Sequence, residues 1–366
     1  MNWTCSVACD YVAETGLLGE GPLRAEEVGD GNLNFVFRVW RHHDPERSLI
    51  VKQAPPYIKV LGPEYCLTQH RVTIEARAMV IYDRLAPGSV PRPLHFDADA
   101  HVLLMEDLRG YRILRHALIA GQIEPKVAAS VGAFMATMHR ATLAETVSPE
   151  ERERYQQDFH NPDMQGITSD YVFTKPFRQD PTNRHTEGLD RIVDDVRADS
   201  ELLAEIRRLR GRFNEAREGL VHGDLHTGSV MVNGQGARVI DAEFAFYGPI
   251  AFDVGALVAN YLLAWYAHAG HDRMALMQCI EDCWRAYREK FKRPSRLPAI
   301  WREALQFAGV KMLRRILGAA HVEDIESIED DARRCAVETQ AIACGRVLIA
   351  DPPSTESLPQ TVREFA

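Results

Sequence analysis

The sequence predicts an α+β protein with two lobes: a mainly antiparallel β lobe over residues 1–108 and a larger, mainly α-helical lobe over 109–366. Three observations support this division. Strand-like alternation dominates the first 110 residues, helical spacing of apolar residues dominates from about residue 111, and only one hairpin signal, Asn233-Gly234, interrupts the helical part. Since ligand sites commonly lie between lobes, we expect the functional residues to come from both.

The β lobe is predicted from three runs of alternating, β-branched and aromatic residues, at 33–40, 48–53 and 101–105. Between the second and third run, residues 73–85 have helical spacing and end before Pro87-Gly88, a typical stop signal. The expected order in this lobe is therefore two strands, a helix and a third strand.

The second lobe is predicted from four stretches with helical spacing, at 126–140, 200–216, 273–291 and 298–317. Residues 145–197 are polar and interrupted by prolines, so we expect irregular surface with short helices. Two short strands, at 229–232 and 237–240, flank Asn233-Gly234, the preferred dipeptide of a tight hairpin turn.

Composition excludes several classes of function. The chain has 366 residues, 46% hydrophobic and 26% charged, with 52 acidic and 43 basic side chains and a net charge of −9, so nucleic acid is not an expected partner. The longest apolar stretch, 251–266, contains Asp253 and Asn260 and is too short to span a membrane. No secretory signal is apparent, and the seven cysteines lack zinc-finger spacing, which predicts a cytoplasmic protein with reduced thiols.

The first candidate functional cluster is a glycine-rich turn before the first strand. It contains Gly29, Gly31, Asn32 and Asn34. Without a Cβ, glycine lets backbone amides approach phosphate oxygens closely. Alone, however, this pattern is more typical of a plain hairpin turn.

The second cluster combines the string His222-Gly223-Asp224-Leu225-His226-Thr227-Gly228-Ser229 with Val239-Ile240-Asp241-Ala242-Glu243-Phe244. Asp224, Asp241 and Glu243 each follow apolar residues at the end of a strand-like run. A buried carboxylate must be paired, hydrogen-bonded or bound to a metal. A helix cap for Asp224 and a surface position for Glu243 would be the simpler interpretation, but three such acids together favour metal and proton chemistry.

The third cluster is the segment from Lys311 to Gly318, which includes Arg314 and Arg315. Adjacent helical residues point about 100° apart, so both arginines can enter one site only near a helix end or a distortion. Gly318 predicts such an end. By themselves the two arginines are typical of a solvated helix terminus.

The second cluster resembles the catalytic core of protein kinases and of small-molecule kinases of the aminoglycoside phosphotransferase type, with His-Gly-Asp in place of His-Arg-Asp. Ser229 stands where protein kinases have a metal-binding Asn, and Asp241-Ala242-Glu243 stands for Asp-Phe-Gly. With the run from Asp241 to Pro249, these departures are similar to the methylthioribose kinase family. The resemblance covers nearly the whole chain and implies a protein-kinase-like two-lobe fold.

The resemblance also implies the site residues. ATP would be bound by Gly29, Gly31, Asn32, Asn34, Lys52, Glu106, Asp107, Leu108, Asp241, Ala242 and Glu243. Asp224 would be the catalytic base and touch the substrate, while Asp241 and Glu243 would hold Mg²⁺. Arg314 or Arg315 would stabilise the charge on the transferred group and contact the substrate. Tyr65, on a loop that resembles one over the site, would contact the substrate as well.

The implied reaction is ATP-dependent phosphorylation of the C1 hydroxyl of 5-methylthioribose, which gives 5-methylthioribose 1-phosphate and ADP in methionine salvage. A homodimer is implied as well. Tyr65 and His185 stand where similar proteins usually carry Trp, so another 5-modified ribose such as 5-deoxyribose stays open as the substrate. Two more hypotheses stay open: a kinase for aminoglycosides or amino alcohols, which the arginine pair argues against, and a nucleotide-binding pseudokinase.

Overall fold

The computed structural model describes residues 3–28, 33–268, 270 and 272–366, and its chain divides into two compact units. The first unit comprises Met1–Gly110 and Ile240–Ala245, and the second comprises Tyr111–Val239 and Phe246–Ala366. The division predicted at residue 108 did not anticipate that segment 240–245 packs with the first unit. As a result, Asp241 and Glu243 belong to the first unit and Asp224 to the second.

A five-stranded antiparallel sheet forms the centre of the first unit, in the order β1-β2-β3-β5-β4. Its strands are β1 Leu23–Glu27, β2 Phe35–Arg41, β3 Asp44–Gln53, β4 Pro93–Asp97 and β5 Val102–Glu106. The three strands predicted from alternation are confirmed as β2, β3 and β5. Sequence reasoning missed β1 and β4, which lack a continuous buried face.

Two helices, α1 Cys5–Thr15 and α2 His70–Leu85, cover the sheet of the first unit. Residues of α1 pack with one set of strand side chains, and residues of α2 pack with the alternate set; the α2 layer contains Val72, Ala76, Met79, Leu103 and Met105. Side chains on a strand point alternately to opposite faces. Since Val51 belongs to the α1 layer, its neighbour Lys52 points toward α2.

The second unit is mainly helical, as predicted. Its helices are α3 Leu114–Ile119, α4 Pro125–Thr142, α5 Pro149–Asp158, α6 Pro162–Phe173, α7 Asp190–Ala198, α8 Ser200–Glu215, α9 Ala251–Ala267, α10 Arg273–Phe291, α11 Leu297–Leu317, α12 Glu323–Glu326, α13 Asp331–Ala350 and α14 Leu358–Arg363. Short strands β6 Arg112–Ile113, β7 Gly219–Val221, β8 Val230–Val232, β9 Ala237–Val239 and β10 Phe246–Gly248 lie among them. The predicted Asn233-Gly234 hairpin is confirmed as the antiparallel pair β8–β9.

The core of the second unit is built around α9, whose residues are all buried. This explains the longest apolar stretch of the sequence as a core helix. No helix in the described ranges combines the length and the apolar character that crossing a membrane requires. Gly255 of α9 allows a close approach to α11, because a Cβ there would lie 2.3 Å from the carbonyl oxygen of Ala304.

Candidate active site

The charged centre of the first unit is Lys52, which is buried against two carboxylates. Its Nζ lies 2.8 Å from Oε2 of Glu75 on α2 and 2.7 Å from Oδ1 of Asp241. Burial alone would lower the pKa of Lys52, but the charges of Asp241 and Glu75 outweigh that effect and raise it above its usual value. Lys52 therefore stays positively charged, and it is paired with Asp241, whose side chain is half exposed.

Asp241 begins the short 3₁₀ turn Ala242–Phe244 in the left-handed backbone region, with φ 63°. An L-residue in that region is strained, although aspartate tolerates it better than most residues do. Half of the Asp241 side chain is exposed, whereas its partner Lys52 is buried. The strained turn thus leaves the Asp241 carboxylate half exposed while its ion-pair partner stays buried. Backbone strain of this kind is common at functional sites.

Glu243, the second acid of this turn, is buried in a network with Asn34 and Arg71. Its Oε2 accepts a hydrogen bond from Nδ2 of Asn34 at 2.9 Å and lies 3.4 Å from Nε of Arg71. Arg71 is fully buried and also donates to the backbone carbonyls of Leu33, Pro55 and Thr68. Helix α2 consequently anchors both ends of the cluster, through Glu75 to Lys52 and through Arg71 to Glu243.

Three of the other predicted ATP-binding residues, Glu106, Asp107 and Leu108, lie at the end of β5. Gly29, Gly31 and Asn32 fall outside the described residues. The carboxylate of Asp107 is buried and accepts hydrogen bonds from Nε of Arg38 at 2.7 Å and from Oγ of Ser48 at 2.6 Å. These contacts hold the Asp107 side chain and so fix the chain at the end of β5.

Asp224 is the charged centre of the second unit, on the loop after β7. Its Oδ1 lies 2.9 Å from Nζ of Lys311 on α11, and its Oδ2 lies 3.4 Å from Nε2 of His226. Burial would raise the pKa of Asp224, yet Lys311 and His226 hold it well below its usual range. The side chain still keeps 25% of its surface exposed, so an ionised carboxylate is available to a ligand.

His226 is a neutral side chain in a defined tautomer. The backbone N–H of Gly228 donates to its Nδ1 at 2.9 Å, which places the ring proton on Nε2, facing Asp224. Burial lowers the pKa of His226 to about 4, opposed by Asp224 and reinforced by Arg115 and Arg315. At neutral pH His226 is therefore a hydrogen-bond donor and carries no charge.

Arg314 and Arg315 are both buried near the end of α11, and both donate to the backbone carbonyl of Ala320. Within the described residues, Nε of Arg314 is a buried donor without a hydrogen-bond partner. Burial lowers the pKa of Arg314, partly offset by the charge of Asp224. A solvated helix terminus, the interpretation that the arginine pair favoured by itself, is wrong: these guanidinium groups are enclosed, and they give the surroundings of Asp224 a positive character.

Backbone hydrogen bonds hold the loop of Asp224 in place. The carboxylate of Asp253, on α9, accepts from the N–H groups of His222 and Gly223 at 2.7 and 3.0 Å. Ser229 Oγ donates to the carbonyl of Asp224 at 3.0 Å and accepts from the N–H of His226. Ser229 thus ties the loop to itself, which accounts for a small hydroxyl residue where protein kinases carry Asn.

Tyr65 and His185, the two positions that departed from the family pattern, lie on loops of different units. The Tyr65 side chain is 51% exposed, and its backbone is held by Ile58 and Gly62. His185 lies 3.0 Å from Oδ1 of Asp190 through its Nε2. These partners, as far as the described residues show, lie outside the charged clusters of both units.

Sequence reasoning gave no role to three members of these clusters: Glu75, Arg71 and Lys311. A signal existed for Glu75, because it shares the apolar face of its helix with Val72 and Met79 at helical spacing. A charged residue on such a face indicates a buried partner. Lys311 precedes Arg314 by three residues and so shares its helix face, which could have been recognised in the same way.

The donor set of the first unit fits a magnesium ion bound together with a nucleotide. Within the described ranges, no three His, Cys, Asp or Glu side chains are arranged to hold a metal by themselves. Mg²⁺ typically takes one or two carboxylates and completes its shell with phosphate oxygens and water. Half-exposed Asp241 suits that role better than Glu243, whose Oε2 is engaged by Asn34 and Arg71.

Comparison with known proteins first gives the class. The phosphotransferase enzyme family matches residues 25–292. Among solved structures, amicoumacin kinase hAmiN in complex with AMP-PNP, Ca²⁺ and Ami is similar with a TM-score of 0.53 at 14% identity, covering 95% of this chain and 96% of that one. Ethanolamine kinase from Plasmodium vivax gives 0.51 at 13% identity, covering 92% and 90%. The predicted protein-kinase-like fold is confirmed, and the chain is a phosphotransferase.

Relatives then give the particular family. The methylthioribose kinase of Bacillus mycoides is 35% identical, with 94% of this chain and 92% of the relative covered. That of Exiguobacterium sibiricum is also 35% identical, covering 95% and 93%. The chain therefore belongs to the methylthioribose kinase family, as the motifs predicted.

Proposed function

We propose that this protein transfers the γ-phosphoryl group of ATP to the C1 hydroxyl of 5-methylthioribose. The observation that carries the proposal is an ionised, partly exposed Asp224 surrounded by buried cations. In this reaction the hydroxyl oxygen forms a bond to the γ-phosphorus, the bond from that phosphorus to the bridging oxygen breaks, and the hydroxyl proton passes to Asp224. The products are 5-methylthioribose 1-phosphate and ADP.

In the first unit, Lys52 would bind the α- and β-phosphates, and its two carboxylate partners support that role by keeping it charged. Asp241 would hold Mg²⁺, with Glu243 adjacent to it in the same turn. The metal would offset the charge of the phosphates. The backbone at 106–108 would meet the adenine, and Asn34, held by its bond to Glu243, would contribute to ATP binding.

In the second unit, Asp224 would accept the hydroxyl proton, and Arg314 or Arg315 would stabilise the charge on the transferred group. A guanidinium presents several donors in a planar fork that matches phosphoryl oxygens. The unpartnered Nε of Arg314 supports this role within the part of the chain that the structure describes. A desolvated donor without a partner is costly, and a ligand oxygen would satisfy it.

The charges around Asp224 also favour a neutral sugar over an amino alcohol or an aminoglycoside. Cationic substrates require carboxylates that are not already neutralised. Here Asp224 is paired with Lys311, and the arginines add further positive charge. The names of the relatives supply the identity of the sugar, and Tyr65 is the residue proposed to touch its 5-substituent.

The proposal is tested by measuring ATP consumption with a panel of acceptors: 5-methylthioribose, 5-deoxyribose, ribose, choline, ethanolamine and an aminoglycoside. We expect efficient turnover with 5-methylthioribose and a product whose phosphate is assigned to C1 by ³¹P NMR. Asp224→Asn is the matched control for contaminating kinase activity. Faster turnover with choline or an aminoglycoside would show a different substrate class, and no turnover with any acceptor would favour a nucleotide-binding pseudokinase.

Three further features remain predictions within this proposal. Magnesium dependence follows from Asp241 and is measured by titrating the metal against the rate. A homodimer, implied by the family resemblance, is tested by light scattering of the purified chain. A cytoplasmic location, within methionine salvage, is tested by fractionating cells that express the protein.

A further inference from the structure

We propose that Lys311 is a positioning residue for phosphoryl transfer: its ammonium group fixes Oδ1 of Asp224, so that Oδ2 is the oxygen that receives the hydroxyl proton. This inference rests on the proposed function, since it deepens the role given there to Asp224. It assigns a role to a side chain for which the family resemblance implied none.

The geometry separates the two carboxylate oxygens of Asp224. Oδ1 is bonded to Lys311 at 2.9 Å, a charge-assisted hydrogen bond of ordinary length. Oδ2 lies 3.4 Å from Nε2 of His226, which is longer than a good hydrogen bond, and a quarter of the side chain is exposed. Oδ2, whose neighbour His226 carries no charge, is therefore the more weakly held of the two oxygens, and Lys311 is what distinguishes them.

Burial of Lys311 calls for an explanation, because an ammonium group in a protein interior is costly. The side chain is almost completely buried, with Nζ 4.8 Å from the centroid of the Phe252 ring. An apolar residue at this position of α11 would avoid the cost of desolvation, so packing alone does not account for a lysine. The bond to Asp224 does account for it.

The charges that face Lys311 make its protonation dependent on Asp224. Arg314 and Arg315, on its own helix, repel its charge, and Asp224, from the loop after β7, attracts it. Neutral His226 approaches the other oxygen of Asp224, and from α9 the Phe252 ring adds no charge. Burial lowers the pKa of Lys311 to about 8, despite the opposing effect of Asp224, so the contact weakens as the pH rises above that value.

Kinetics of Lys311→Met and Lys311→Arg test the role, with Lys290→Met on exposed α10 surface as the control. For Lys311→Met we expect kcat to fall about 100-fold and the KM for ATP to change less than about threefold, the signature of a lost positioning contact. The kcat of Lys311→Arg should be at least about tenfold higher than that of Lys311→Met, because a guanidinium can also hold Oδ1.

The pH profile gives a readout that a purely structural role would not produce. In the wild type, kcat/KM should decline above about pH 8 as Lys311 loses its proton. Lys311→Arg should remove that decline, since arginine stays charged. The proposal is overturned if Lys311→Met is as active as the control, or if the alkaline decline is unchanged in Lys311→Arg. Melting temperatures of all variants identify any that fail to fold.

A measurement without sugar separates this proposal from the proposed function. The chain contains only seven lysines, so ¹³Cε labelling resolves their titrations by NMR. Lys311 should titrate near pH 8 in the wild type and at a lower pH in Asp224→Asn, which removes the attracting charge. If no acceptor is phosphorylated, the proposed function is wrong, and the titration still tests whether Lys311 and Asp224 are paired. A Lys311 titration that Asp224→Asn leaves unchanged would overturn the pairing.

Discussion

The charge clusters of the two units are opposite in character. In the first, the carboxylates of Glu75, Asp241 and Glu243 outnumber the cations Lys52 and Arg71. In the second, the carboxylate of Asp224 faces Lys311, Arg314 and Arg315. The first combination suits a ligand that brings a metal cation, and the second suits a reaction that gathers negative charge on an oxygen.

The clusters also differ in how their key acid is exposed. Asp241 is half exposed, whereas Asp224 keeps a quarter of its side chain exposed and depends on an enclosed lysine. A carboxylate that binds a metal needs exposed oxygens. A catalytic base needs a fixed orientation and a low proton affinity until the transition state. The local structure of each acid agrees with the role proposed for it.

Removal of the Asp224 charge should have the largest effect. We expect Asp224→Asn to lower kcat about 10³-fold, because the amide cannot accept the hydroxyl proton, and to leave the KM for ATP nearly unchanged. Steady-state kinetics with 5-methylthioribose measures both constants. Near-normal turnover in this variant would eliminate the base assignment and, with it, the contrast between the two acids.

Loss of Arg71 should have the second largest effect, on stability more than on catalysis. Arg71→Met removes the cation beside the buried carboxylate of Glu243 and the guanidinium donor of three backbone carbonyls, for which we expect a loss of about 3 kcal/mol in the free energy of unfolding. Urea denaturation measures it. Arg77→Met, at an exposed position of the same helix, is the control and should change stability by less than about 0.5 kcal/mol. Equal effects of the two variants would show that the network contributes nothing to stability.

Substitution of Asp241 should have the third largest effect, and it tests the role of the first unit in binding the metal. Asp241→Asn keeps a residue that tolerates the left-handed backbone but removes the charge, so the Mg²⁺ concentration that gives half-maximal rate should rise about tenfold or more. The rate is measured against total Mg²⁺ at fixed ATP. Glu243→Gln should shift that concentration less, because Glu243 is already bonded to Asn34. The reverse order would make Glu243 the principal ligand.

Much of this arrangement could be predicted from sequence, for reasons that the residues make plain. Alternation in β2, β3 and β5 and the spacing of α2 are local properties, and local periodicity was sufficient to identify them. The acids Asp224, Asp241 and Glu243 could be identified because they follow strand-like runs. Their distribution over different units could not, because the packing of segment 240–245 with the first unit depends on long-range contacts with α2.

The same limit explains the missed cations. Lys311 is 87 residues from Asp224, and Arg71 is 172 from Glu243. Nothing within one helical window distinguishes a buried lysine with a distant partner from a lysine that extends along the surface to solvent. The enclosed state of Arg314 and Arg315 could not be derived from their own segment on the same grounds, since their carbonyl partners Ala320 and His321 lie beyond the end of α11.

Glu75 should show a smaller effect that depends on pH. Burial raises the pKa of Glu75 to about 7, against the opposing charge of Lys52. As the pH falls through that value Glu75 gains a proton, so Lys52 loses one of its two anchoring charges and the KM for ATP should rise severalfold. Glu75→Gln should have the raised KM at every pH and no such dependence. A KM that varies with pH equally in both proteins would locate the titration elsewhere.

Tyr65 should have the smallest effect, because an aromatic ring that is half exposed contributes little to the free energy of either unit. Tyr65→Ala is expected to leave stability unchanged and to raise the KM for 5-methylthioribose about threefold, with a smaller change for ribose, since only the former offers an apolar 5-substituent. Tyr65→Trp, which restores the residue common in similar proteins, should lower that KM. If Tyr65→Ala changes the KM of both sugars equally, Tyr65 does not contact the 5-substituent, and other residues determine the specificity for it.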